Sequence, residues 1–100
     1  MKVQYSKDFQ KAVQKHSGKV VRSILSAIYE VKAAASLDEI TDLKKLTGYK
    51  SVYRIRIGSL RAFFTFHIEV IGDTVIFRYL VNRGEAYDKE MERKLKRIDK

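Results

Sequence analysis

One hundred residues with 21 Lys+Arg against 12 Asp+Glu carry a formal net charge of +9. So short a chain builds one hydrophobic core and hence one domain over residues 1–100, and 45% hydrophobic with 33% charged residues is the composition of a folded protein rather than a disordered tail. Cysteine is absent and the two histidines, His16 and His67, stand far apart, so disulfides, thiol chemistry, a bound metal and a cofactor are all unexpected. No apolar run approaches the ~20 residues that span a bilayer, and the start Met1-Lys2-Val3-Gln4-Tyr5-Ser6 is not of signal-peptide type. The expectation is a cytoplasmic protein with no membrane partner, whose excess charge makes a polyanion the first partner to test.

Residues 2–5 alternate as a short first strand. Ser6 can cap a helix in which Phe9, Ala12 and Val13 share one face, and Ser17-Gly18 interrupts it. From Lys19 to about Ala35, the residues Val20, Val21, Ile24, Leu25, Ile28 and Val31 form a 3.6-residue stripe, so the two helices should make an antiparallel hairpin. Ser36-Leu37-Asp38-Glu39 reads as a capping box opening a short helical or irregular stretch with Ile40, Leu43 and Leu46, ended by Gly48. The period then changes. Residues 52–57, 60–70 and 74–81 are rich in β-branched and aromatic side chains, and Gly58-Ser59 and Gly72-Asp73 punctuate them as two hairpins. Beyond Gly84, Tyr87, Met91, Leu95 and Ile98 fall at helical spacing. The expected fold is α+β: a short strand, a helical hairpin, a three-stranded antiparallel meander and a C-terminal helix, with one sheet carrying its helices on one face.

The positive charge gathers in the middle of the chain. From Leu43 to Ile68 there is no acidic residue, while Lys44, Lys45, Lys50, Arg54, Arg56 and Arg61 are all present. Strand parity puts Val52, Arg54 and Arg56 on one face. A two-residue turn at Gly58-Ser59 then sets Ile57 opposite Leu60, Arg56 opposite Arg61 and Arg54 opposite Phe63. The same pairing across Gly72-Asp73 brings Arg78, Leu80 and Asn82 to the arginine face, with Arg83 at its rim. Like charges directly opposite one another cost a sheet stability, so this face needs another reason to exist. A nucleic-acid backbone supplies one: Lys44, Lys45, Lys50 and Arg78 to hold phosphates and Phe63 to stack on a base. Taken singly, each arginine reads as a solvated strand residue that blocks edge-to-edge pairing; the set, with no acidic partner from Leu43 to Ile68, reads as a polyanion site.

Lys45-Leu46-Thr47-Gly48-Tyr49-Lys50-Ser51-Val52-Tyr53-Arg54-Ile55-Arg56-Ile57-Gly58-Ser59-Leu60-Arg61 resembles the KLxG…YRIRxGxYR signature of the RelE/ParE superfamily, toxins of bacterial toxin–antitoxin pairs. Asn82-Arg83-Gly84-Glu85-Ala86-Tyr87 is similar to that superfamily's closing HRxxxY element. The resemblance covers the whole chain and implies the same order of elements. It also implies one of two activities: metal-free cleavage of messenger RNA on the ribosome, or poisoning of DNA gyrase. A third reading is a member that only binds nucleic acid or its antitoxin. The implied partners are a cognate antitoxin protein and mRNA on the ribosome, with DNA gyrase as the alternative. By analogy with the ribonuclease branch, Arg54, Arg56, Arg61, Arg83 and Tyr87 match the catalytic positions. Arg54 and Arg56 stand where lysines also occur in the family, and Asn82 stands where a histidine is common, so the pattern names no general base.

Overall fold

The computed structural model describes all residues, 1–100. Its elements are β1 (Lys2–Tyr5), α1 (Lys7–Gln14), α2 (Lys19–Ala33), a 3-10 turn (Leu37–Glu39), β2 (Leu43–Lys45), β3 (Val52–Ile57), β4 (Leu60–His67), β5 (Thr74–Asn82) and α3 (Lys89–Ile98). They build one five-stranded sheet in the order β1-β5-β4-β3-β2, in which β1 runs parallel to β5 and the other neighbours are antiparallel.

The helical hairpin follows from its punctuation. The Ser6 hydroxyl accepts the Phe9 N–H at 3.0 Å and donates to the Arg78 carbonyl at 2.6 Å, capping α1 and tying it to β5. Gly18, at φ 60°, turns the chain into α2 where a side chain would be strained. Phe9 from α1 and Ile24, Ile28 and Val31 from α2 then bury against Ile55, Ala62, Phe64, Val75 and Phe77 on one face of the sheet.

The β3–β4 hairpin forms in the expected register, with Ile57 opposite Leu60, Arg56 opposite Arg61 and Arg54 opposite Phe63. The α+β class and the order of elements also agree with the sequence reading. Four details differ, each for a physical reason.

The Ser36–Glu39 segment is a 3-10 turn rather than a boxed helix start. Its Glu39 carboxylate reaches the Ala35 N–H at 3.2 Å, and Ser36 makes no side-chain cap. After it, Asp42 takes φ 56° and the chain leaves as β2. Leu43 opposite Ile55 joins the core beneath α1 and α2, whereas Leu46 packs in the opposite core, so their period is two and not three.

β4 ends at His67, short of residue 70. Polar ties close the 68–73 loop instead of ladder bonds: Thr74 Oγ1 donates to Glu69 at 2.8 Å, Lys2 pairs with Glu69 at 3.0 Å, and Asp73 accepts the Glu69 N–H at 3.2 Å.

A bulge lies between Phe63 and Phe64, so that Phe63 faces Tyr79 and Phe64 faces Phe77, with Arg78 left unpaired. Residues beyond it change face. Leu80 and Asn82, expected on the arginine face, pair with Ala62 and Leu60 on the α1–α2 face, and Tyr79 and Val81 take their places.

Finally, helices cover both faces of the sheet. Asp88 caps α3 through the Met91 N–H at 2.8 Å, and α3 crosses the arginine face, burying Met91 and Leu95 with Leu46, Val52, Phe63 and Ala86. The cause is the apolar strip Val52, Phe63, Tyr79 and Val81 running across that face, which would otherwise lie in water.

Candidate nucleic-acid interface

With α3 over its middle, the arginine face is split. On the β2–β3 side a row crosses the sheet from Lys44 to Arg54 to Phe63 to Tyr79, each opposite the next. Lys44 is exposed and Arg54 half-buried. The Arg54 Nε is fully buried with no hydrogen-bond partner, so it is the terminal nitrogens of the guanidinium that can meet a ligand.

Phe63, expected to stack on a base, is completely buried beneath α3 and cannot. The exposed ring beside it is Tyr87, 60% exposed and edge-on to Phe63 with centroids 6.3 Å apart. Tyr87 precedes α3 rather than belonging to its stripe, and Ala86 is the residue that turns inward there, 1% exposed. The phenol is thereby held at the surface on a packed aromatic base.

A second group gathers at the β3–β4 turn. Arg61 folds its Nη1 onto the carbonyls of Gly58 and Leu60, both at 2.9 Å, which turns it away from head-on repulsion with Arg56. The Arg83 N–H donates to the Ser59 carbonyl at 2.9 Å, so this exposed arginine stands at the same end of the sheet. Arg56 is not free: its Nη2 meets Asp42 Oδ1 at 3.1 Å. The stretch without acidic residues begins one position after Asp42, and the β2–β3 pairing carries that carboxylate back to Arg56.

The remaining basic residues lie elsewhere. Lys45 points from the β2 edge and donates to the Tyr49 carbonyl at 3.0 Å. Lys50 lines a different hollow, with Tyr53, His67 and Lys100. Arg78, across the sheet on β5, donates its Nε to Thr65 Oγ1 at 3.1 Å, and His67 Nε2 meets the same oxygen at 3.0 Å. Four residues along β4 put His67 ~13 Å from Phe63, too far to serve chemistry beside Tyr87. No three or more His, Asp or Glu side chains gather where they could share a metal ion.

Between β2 and α3 lies a cleft of ≈ 290 Å³ that the sequence did not reveal. Leu46, Ala86 and Leu95 floor it, Tyr49 and Tyr87 rim it, and Lys44 and Glu92 supply its charges. Burial, with the negative charges of Glu92 and Asp99, pushes the Tyr49 phenol above its ordinary value, so it stays a neutral donor. Tyr49 and Leu46 sit inside the conspicuous 45–61 motif, but Glu92 carries no sequence signal beyond that of a charged helix face.

Comparison with known proteins adds family to geometry. No family model matches the chain. It is 39% identical over 89 residues to "Toxin RelE3" of Methanocaldococcus jannaschii, covering 88% of this chain and 97% of that protein. Among solved structures it resembles the RelB–RelE antitoxin–toxin complex from Methanococcus jannaschii, with TM-score 0.68 and 34% identity over 85% of this chain and 95% of that one. It also shares the fold of the archaeal RelE–RelB complex from Pyrococcus horikoshii, with TM-score 0.66 and 24% identity over 85% of this chain and 97% of that one.

Proposed function

The chain belongs to the RelE family of toxins, within the RelE/ParE superfamily, and from that membership we propose that it inhibits translation by cutting messenger RNA on the ribosome without a metal ion. It is the toxin component of a toxin–antitoxin pair, in a superfamily whose members are not confined to bacteria. A cognate antitoxin is its partner, as in the RelB–RelE complexes of its structural relatives. An acidic antitoxin segment suits the +9 chain.

The observation that carries the reading is that half-buried Arg54, which no protein acceptor engages, and the exposed Tyr87 both neighbour buried Phe63. In cleavage the 2′-hydroxyl gives its proton to solvent water as its oxygen attacks the adjacent phosphorus, and the bond to the 5′-oxygen breaks as that oxygen takes up a proton. Arg54 stabilises the charge on the phosphorane, because its half-buried guanidinium is committed to no protein acceptor before substrate arrives. Arg61 and Arg83 hold flanking phosphates from the turn end. A guanidinium stays charged at any working pH and moves no proton, so Tyr87 is the group that delivers one to the leaving oxygen. Arg56 is bound to Asp42 and orders the strand rather than the phosphate.

The test is to add the purified protein to a translating extract and map messenger RNA ends. New ends within ribosome-occupied codons are expected, and ends absent from the same message without ribosomes. Intact messages at doses that stop growth would overturn the reading, and cleaved DNA trapped on gyrase would replace it.

A further inference from the structure

We propose that the cleft between β2 and α3 is a nucleobase subsite that selects guanine through the carboxylate of Glu92. This rests on the ribonucleolytic reading for its biological substrate, but the site is argued from its own chemistry.

The cleft has an apolar floor of Leu46, Ala86 and Leu95, all less than a tenth exposed, and Tyr49 and Tyr87 at its rim. Its volume is at the lower end of small-molecule sites. Such a slot suits a single planar ring system, and aromatic side chains bind bases by stacking irrespective of sequence. Its charges are of opposite sign. Lys44 belongs to the basic row that continues into Arg54, so a phosphate on that side leads directly toward the position proposed for cleavage. Glu92 comes from α3 and bears the negative charge.

The carboxylate decides which base fits. Ionised, it only accepts hydrogen bonds, and it can accept two side by side. Guanine alone among the four RNA bases offers two adjacent donors, N1–H and the N2 amino group, on its Watson–Crick edge. Adenine and cytosine offer one amino donor beside an acceptor, which would face the carboxylate unfavourably. Uracil offers one N–H between two carbonyls. The acceptor sites of Glu92 are open: its ion-pair neighbour is Lys96, at 3.9 Å, beyond hydrogen-bond length. Tyr49, on the rim, contributes a neutral hydroxyl.

Binding of GMP, AMP, CMP and UMP to the purified protein, measured by calorimetry, tests the subsite directly. GMP should bind about ten-fold more tightly than AMP, the lower end of what a bidentate contact gives in discrimination. Glu92→Gln, which offers one acceptor and one donor, should bring GMP and AMP within about two-fold, and Tyr49→Ala should weaken all four. Thermal melts of both variants establish that they fold. Equal affinity of the unaltered protein for GMP and AMP, or a guanine preference that survives Glu92→Gln, overturns the proposal. Neither result depends on RNA cleavage. If messages stay intact in the extract while GMP is preferred through Glu92, the subsite stands and the ribonuclease reading falls. If cleavage occurs with no such preference, the reverse holds.

Discussion

The carboxylate of Asp99 accepts the backbone N–H of Ser51 at 2.7 Å and the Ser51 hydroxyl at 3.0 Å, and it takes the neighbouring Lys50 N–H as well, at 2.8 Å. These contacts fasten the end of α3 to the loop that enters β3, and so hold the helix over Phe63. Burial pushes the Asp99 carboxyl up, but the Lys50 and Ser51 N–H groups, the Ser51 hydroxyl and the Lys50 charge outweigh it and hold the carboxyl below its ordinary value. A group depressed in the folded state stabilises above its unfolded value and loses that contribution as pH falls through the lowered folded one. The latch is therefore closed throughout neutral pH and opens only below about pH 4. Asp99→Asn should cost roughly 1 kcal/mol at pH 7, a fall of about 4–8 °C in Tm for a chain of this size. The gap between the two proteins should narrow as the melts are repeated at progressively lower pH below 4. A gap independent of pH would show that the charge of Asp99 is not what holds α3.

Arg54 and Phe63 separate chemistry from packing. Arg54→Met keeps the apolar stem and removes a buried Nε that has no partner, so stability should hold or rise slightly. Cleavage should fall by about 10²-fold or more, the usual effect of losing one preorganised donor to a developing anion. Arg54→Lys restores the charge without the fork and should recover only part of that loss. Comparing end-mapping in extract with thermal melts of the same preparations decides the matter.

How much of this was legible beforehand depends on where each contact is decided. Alternation along β3 and one turn fix the Arg56–Arg61 and Arg54–Phe63 pairs locally, so both are legible in the sequence to the residue. The bulge at Arg78 is not, because no residue type marks it: the Arg78 carbonyl there accepts from the hydroxyl of Ser6, the N-cap of α1, 72 residues away in the chain. That one unpaired residue moved Leu80 and Asn82 to the other face. The stripe Met91, Leu95, Ile98 announces that α3 buries a side, but a stripe does not say against what. Since α3 chose the arginine face, Phe63 became core and Tyr87 became the exposed ring. The Asp42–Arg56 pair was hidden for a similar reason, since β2 had to be recognised as a strand before Asp42 could be placed beside β3.

Phe63 and Tyr87 should accordingly respond in opposite ways. Phe63→Ala empties a completely buried position between α3 and the sheet and should cost about 3–5 kcal/mol. Tyr87→Phe removes only a hydroxyl at the surface and should leave the melting temperature unchanged, yet lower cleavage by about 10²-fold, the lower end of what proton transfer contributes. Equal cleavage by Tyr87→Phe and the parent would remove Tyr87 as the proton donor while leaving Arg54 untouched.

Asp42 joins a backbone requirement to an electrostatic one, and two substitutions separate them. Its φ of 56° lies in the left-handed region, which Asn and Asp tolerate and β-branched residues do not. Asp42→Asn keeps that turn and deletes only the ion pair with Arg56. That pair is about half exposed on both sides, so its loss should cost no more than ~1 kcal/mol, including the repulsion newly felt between Arg56 and Arg61. Asp42→Val loses the same pair and strains the backbone besides, by a further ~1–2 kcal/mol. Urea denaturation of both variants, with Arg56→Gln as a third, gives the separation: in the Arg56→Gln background Asp42→Asn should become nearly neutral, while Asp42→Val should still destabilise. If both substitutions lost their effect together, the left-handed turn would not be what admits β2 to the sheet.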